Sequence, residues 1–315
     1  MKNYFSEVWR DVRHVMLVLL RIMIPISVAV KLLDMLGVIP WIAVALSPVM
    51  GMVGLPGQAS IIWAGALLTG LYGGLAAYSG LGPSIVLTTA QVSVLAGMML
   101  IAHAFPLELK IAQKAGVRFR FMLGVRLGGA LVFGILTHRI LTAFHWLQTP
   151  AHSVWTRTVA NGWIDWAIGE AQNYVKILVI VSLLLGLLKA LEKLGMTEWI
   201  VKLLHPGLRS LGISKAATPI TIVGLLLGIS YGGGLIIKEA KSGKVSIQDV
   251  LLTLCLLGLC HSLIEDTVLM TLIGGSLAVV LWGRIAFALV VVVLIRLALT
   301  KVSERATKRF VLRRS

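Results

Sequence analysis

The octet Cys260-His261-Ser262-Leu263-Ile264-Glu265-Asp266-Thr267 lies between two apolar runs, 250–259 and 268–283. His261 and Glu265 are four apart, so on a helix they share a face. Asp266 points about 100° away on the helix wheel. Asp249 and Cys260 are only eleven positions apart, too few to cross a bilayer. The cluster therefore sits at depth, or the helix is broken there. Ionisable side chains at depth usually face a polar cavity and mark a pathway. Three roles compete: binding a cation or polar solute, relaying protons through His261, or locking onto Arg126, Arg284 or a group of the linker as a structural pair. Cys260, His261, Glu265 and Asp266 are also candidate metal ligands, although their spacing shows no full ligand set and the metal is left unassigned.

The elements around this octet are those of an integral membrane protein. Of the 315 residues, 58% are hydrophobic and 13% charged. Several apolar runs suit a helix rising ~1.5 Å per residue across a hydrocarbon slab about 30 Å thick. They are too long and unbroken for barrel strands, and in lipid a helix satisfies its own backbone. The net charge of +16 does not indicate nucleic acid, because the basic residues cluster in short loops and at the two ends and no soluble domain carries them. Cys255 and Cys260 lie within one apolar run and read as buried thiols rather than a disulfide. The first helix reads as retained, without a small-residue cleavage site.

The chain repeats itself. At an offset of 158 positions, 31–54 lies over 189–212, matching Lys31/Lys189, Gly37/Gly195, Trp41/Trp199, Pro48/Pro206 and Gly54/Gly212. "GLYGGL" (70–75) matches "GISYGGGL" (228–235) when small insertions are allowed, and the offset returns with His103/His261, Gly116/Gly274 and Arg126/Arg284. Each copy reads as a first helix (15–38; 173–196), a Pro-interrupted segment (39–55; 197–213), a Gly-broken segment (57–77; 217–237) and two closing helices (85–105 and 119–142; 247–272 and 277–299). The expected organisation is a first repeat at 1–142, a Trp-rich periplasmic interfacial linker at 143–172, a second repeat at 173–300 and a basic cytoplasmic tail at 301–315.

Charge sets the expected orientation. If the Gly-broken segment of each copy enters and returns, each copy crosses three times and the second is inverted. With a cytoplasmic N-terminus, the inside segments 1–14, 107–120, 189–215, 238–244 and 301–315 hold 21 of the 29 Lys and Arg, as the positive-inside rule requires. Letting the Gly-broken segment cross once would force basic stretches outside. Letting the Pro-interrupted segment cross as well would bury Lys202, His205 and Arg209 in the second copy, at about 2.5–3.5 kcal/mol for each central charge. In the first copy both choices stay open.

The expected fold is an all-α polytopic membrane protein: an inverted-topology tandem repeat with about six spanning helices, two interfacial helices and two re-entrant hairpins. Interrupted segments at corresponding places point to a binding site. Tyr72, Gly73 and Gly74 in one copy and Tyr231, Gly232 and Gly233 in the other are its first candidates, against tight helix crossing as the plain explanation. Gln58, Ser60 and Thr218 open the hairpins, where free amide hydrogens favour a polar or anionic group, or where they act only as N-caps. His103 stands opposite His261, but the run 85–105 is long enough to cross alone, which places Glu108 and Lys110 at the inner interface. Arg126 and Arg284 could simply snorkel to headgroups.

The pattern resembles the nucleoside-recognition, or Gate-domain, membrane family, whose relatives include spore maturation proteins A and B and the pore part of ferrous-iron transport protein B. The resemblance rests on "LYGGL" and "SYGGGLI", each following a segment with W-I, P and G, and covers about 15–300. It implies a six-helix inverted-repeat core with two re-entrant hairpins and leaves the solute open. No P-loop occurs. The expected function is a bacterial inner-membrane transporter or permease component for a small polar solute or ion, nucleoside-like or cationic. The alternative is a non-transporting accessory protein of the spore-maturation type. An enzyme is not expected, for lack of a nucleophile motif or an H-E-x-x-H signature. No cofactor is expected; H⁺ or Na⁺ are candidate coupling ions. The candidate partners are solute, lipid and a second copy of the chain, with no nucleic acid.

Overall fold

The computed structural model describes residues 2–81, 85–154, 162–193 and 207–301. All regular structure among them is helical, apart from an isolated bridge between Thr88 and Pro150. The first copy runs α1 (Lys2–Met35), α2 (Val38–Met52), α3 (Ala59–Thr69), α4 (Leu71–Gly80), α5 (Thr89–Ile101), α6 (Phe105–Lys114) and α7 (Phe119–Ala143). The second runs α8 (Trp163–Lys193), α9 (Thr218–Lys241), α10 (Ile247–Leu259), α11 (Glu265–Leu272) and, after a π-helical turn at Ala278–Gly283, α12 (Arg284–Lys301). The spans Val12–Met35, Thr89–Lys114, Phe119–Ala143 and Ala278–Lys301 are long and apolar enough to cross a membrane. The protein is an all-α polytopic membrane protein.

α5 and α10 form the centre, buried along almost their whole length. α7 and α12 pack against them, and α1 with α8 closes another side. Leu136, Ile140, Val290 and Leu294 face outward, as lipid-covered positions do. α2, with Trp41 and Val44 exposed, is 15 residues long. At ~1.5 Å per residue it is too short for a full crossing. Its counterpart at 197–213 lies, up to residue 206, outside the described residues, as do the tail beyond 301 and the side chain of Tyr231.

The repeat is tighter than the sequence suggests. The 158-residue offset holds without any insertion: α5 lies over α10 residue for residue, and the helix-capping Thr88 over the helix-capping Ser246. Left-handed glycines recur at Gly54 and Gly212, Gly70 and Gly228, and Gly116 and Gly274. The insertions expected around the glycine runs are not there. What is kept in both copies is the break at the first glycine of each run, while the glycines after it serve packing and drift in register.

Those breaks make the two hairpins. Gly70 (φ 101°, ψ 178°) separates α3 from α4, and Gly228 (φ 88°, ψ 167°) divides α9. α4 then folds back on α3 so closely that a Cβ on Gly74 would lie 2.6 Å from Met99 Cε and 2.9 Å from Ala66 Cβ. Small residues are what permit such approach in a membrane. Gly74→Leu is expected to cost about 1–3 kcal/mol by overpacking. The fall in melting temperature of the detergent-purified protein measures it, and an unchanged melt would contradict the hairpin packing.

Two helices have other bounds than expected. α5 ends at Ile101 and does not run on through 105. α8 starts at Trp163, inside the stretch read as linker, and brings buried polar groups with it. There Ser27 and Ser79 donate to the two carboxylate oxygens of Glu170 at 2.8 and 2.7 Å. Asn173 donates to Ser79 at 2.7 Å, and Tyr174 to Ser27 at 3.1 Å. This network ties the returning arm of the first hairpin to α1 and α8.

Candidate functional site

The two central helices are interrupted at the same place. Ala102 (φ −130°, ψ 90°) ends α5 and Cys260 (φ −150°, ψ 90°) ends α10. Two residues on, Ala104 (φ 47°) and Ser262 (φ 48°) are left-handed, a conformation that costs a non-glycine residue roughly 1–2 kcal/mol. Helix ends leave carbonyls without intrahelical donors, and at depth no bulk water replaces them. Side chains do so here. His103 Nδ1 lies 2.8 Å from Met99 O, and His261 Nδ1 lies 2.6 Å from Leu257 O. Arg126 Nε donates to both Ile101 O at 2.9 Å and Gly258 O at 3.1 Å. One guanidinium thus closes the C-terminal ends of both half-helices.

This capping sets the imidazole tautomers. A carbonyl only accepts, so each Nδ1 carries the proton and each neutral ring presents a bare Nε2. The two Nε2 atoms face one another at 3.2 Å. Glu108 Oε1 lies 3.3 Å from His261 Nε2 and 3.6 Å from His103 Nε2. Its other oxygen pairs with Arg126, whose guanidinium also lies 5.3 Å over the Phe105 ring. His103, Glu108 and His261 are the group among the described residues whose ligating atoms converge enough to hold a metal ion.

Beside the two imidazoles opens a cavity of about 370 Å³, within the usual range for small-ligand sites. Gly70 and Gly228 bring both hairpin breaks to its wall. His103, Glu108 and His261 form one polar side, and Glu265 and Asp266 another. Tyr72 donates to Glu265 Oε1 at 3.0 Å. The facing wall comes from α1: His14 beside the apolar Val15, Val18, Leu19 and Ile22. Three carboxylates line this space, while the guanidinium of Arg126 pairs with Glu108 and that of the fully buried Arg284 acts on Asp266.

The sequence candidates divide accordingly. Tyr72, His103, His261, Glu265 and Asp266 meet at the cavity. Gln58, Ser60 and Thr218 do not reach it. Gln58 sits half-buried at the start of α3 without capping it. Ser60 donates to Gly57 O at 2.6 Å, and Thr218 to Ser214 O at 3.1 Å. Both hydroxyls serve local turns. Gly73, Gly74 and Gly233 are packing positions, and Gly232 faces Gly224 across the second hairpin. Of the candidate ligands Cys260, His261, Glu265 and Asp266, only His261 joins the converging group. Glu108 corrects the sequence reading most: it is 3% exposed, because the break after Ile101 turns α6 inward rather than letting the helix run to the interface. Arg126, 1% exposed, likewise does not snorkel.

Residues 174–294 match the family model Gate, described as nucleoside recognition. The uncharacterized membrane protein YvoD of Bacillus subtilis (strain 168) is 28% identical over 287 residues, covering 89% of this chain and 88% of that protein. No solved structure matches the chain.

Proposed function

We propose that this protein is a transporter or permease component that takes a small polar solute or ion into the cavity between its two hairpin breaks. The observation that carries the reading is the meeting of Gly70 and Gly228 with His103 and His261 at one cavity. Broken helices at corresponding places of two copies are how secondary carriers build sites at mid-depth. The Gate match supports it, and the membrane-protein relative supports its membrane setting. The distribution of basic residues supports a cytoplasmic side for both termini in a bacterial inner membrane. H⁺ or Na⁺ would couple the movement.

The test is a thermal-shift screen of nucleosides, amino acids and divalent cations on the detergent-purified protein. A solute at ~100 times its Kd adds about 2.7 kcal/mol of stability. We expect that gain to shrink in Tyr72→Phe and to vanish in Glu265→Gln, and the stabilising solute to accumulate in proteoliposomes. A protein that no solute stabilises, with partner assembly intact, would leave the accessory role in place of transport.

A further inference from the structure

We propose that His103, His261 and Glu108 form a binding site for one divalent first-row cation of the zinc class. The inference deepens the reading of the cavity by naming an ion. It rests on that reading only for the ion's movement, since binding needs nothing beyond the three side chains.

Geometry carries it. The ligating atoms form a triangle with sides of 3.2, 3.3 and 3.6 Å. Nitrogen and oxygen ligands at zinc lie ~2.0–2.2 Å from the ion, which puts them about 3.3–3.5 Å apart in a tetrahedron. The triangle is one face of such a figure. An ion seated just above its plane meets all three atoms without any change of backbone. All three residues line the cavity, so the fourth position opens into it, as it does in zinc sites that exchange a ligand.

The remote atoms are arranged as metal ligands require. Each imidazole gives its Nδ1 proton to a backbone carbonyl of its own helix, which holds the ring and leaves Nε2 as donor. Glu108 rests its second oxygen on Arg126 and keeps Oε1 for the site. Two imidazole nitrogens and a carboxylate oxygen thus converge at 3.2–3.6 Å on one point at the cavity wall. A proton on His261 Nε2 would be shared between His103 Nε2 at 3.2 Å and Glu108 Oε1 at 3.3 Å and is the competitor that a metal ion must displace. A metal ion settles all three. The half-helix C-termini that end here add negative potential. Two nitrogens and one oxygen select a borderline cation such as Zn²⁺ or Co²⁺ over Mg²⁺ or Ca²⁺.

The experiment titrates the full-length, metal-stripped protein in detergent with Zn²⁺, followed by calorimetry, and with Co²⁺, followed by its visible bands. One ion per chain is expected. His103→Gln and His261→Gln should each weaken binding at least ~10-fold, while Cys260→Ser leaves it unchanged. X-ray absorption of the zinc-loaded wild type provides a readout that needs no variant. It should show two imidazole nitrogens and oxygen, with no sulfur. Absence of saturable binding, an all-oxygen shell, or loss of binding in Cys260→Ser overturns the proposal. Zn²⁺ that binds here but does not enter proteoliposomes upholds the site and sinks the transport reading alone. An organic solute that stabilises and is transported by a protein blind to Zn²⁺ does the reverse.

Discussion

Arg126→Ala is expected to cost about 3–5 kcal/mol, the range for removing one partner of a buried ion pair. Three groups lose their partner at once. Glu108 stays buried without its counter-ion, and Ile101 O and Gly258 O lose the Nε that closes both half-helices. Each buried acceptor left unsatisfied adds roughly 1–3 kcal/mol. Arg126→Lys should rescue little, since an ammonium lacks the planar fork that reaches carboxylate and carbonyls together. Denaturation in mixed micelles and the yield of folded protein measure the loss. Arg126→Met with Glu108→Met removes both charges and should recover much of it. A single variant that melts with the wild type would mean that the two broken helices are held by something else.

Gly228→Ala should destabilise by roughly 1–3 kcal/mol, the range for a residue forced into a backbone region that only glycine populates. A Cβ there would lie 3.4 Å from Ser262 Cβ and 3.5 Å from His261 Cδ2, ordinary contacts, so the cost is conformational rather than steric. Gly70→Ala should behave alike, its nearest neighbour being Ala104 Cβ at 3.7 Å. Gly232→Ala, only four residues on, should do the opposite. It is helical, its Cβ would meet nothing closer than Val223 Cγ1 at 3.6 Å, and replacing helical glycine gains about 0.5–1 kcal/mol. Paired melts of the two variants decide the matter. Equal effects at 228 and 232 would mean that the turn does not sit at the first glycine of the run.

Gly228 and Gly232 also mark where the sequence could and could not be read. The duplication, the all-helical class and the paired interruptions were legible because periodic apolar runs and glycine clusters are local signals. Which glycine bears the turn was not, since "GISYGGGL" offers four and only the backbone dihedral distinguishes them. His103 and His261 were aligned by the offset, but that two equivalent residues touch follows from how the copies dock. Glu108 was misplaced because the run before it is long enough to cross; nothing in Ile85–Phe105 announces a break at Ala102. A positive φ at Ala104 has no composition signature at all. Glu170 was missed because the polar, Trp-rich residues before it read as a surface strap, which hid the first turns of α8.

The Glu170 network has a consequence for movement. At the positions 158 residues after Ser27 and Ser79 stand Leu185 and Ile237, which cannot make such bonds. Two duplicates that began alike have therefore parted mechanically. The returning arm of the first copy is moored to α1 and α8 through Ser27, Glu170, Asn173 and Tyr174. Without hydroxyls at those two positions the second copy cannot repeat that mooring, and its hairpin is expected to open more readily. Under the transport proposed above, the stroke would then belong to one hairpin rather than to both.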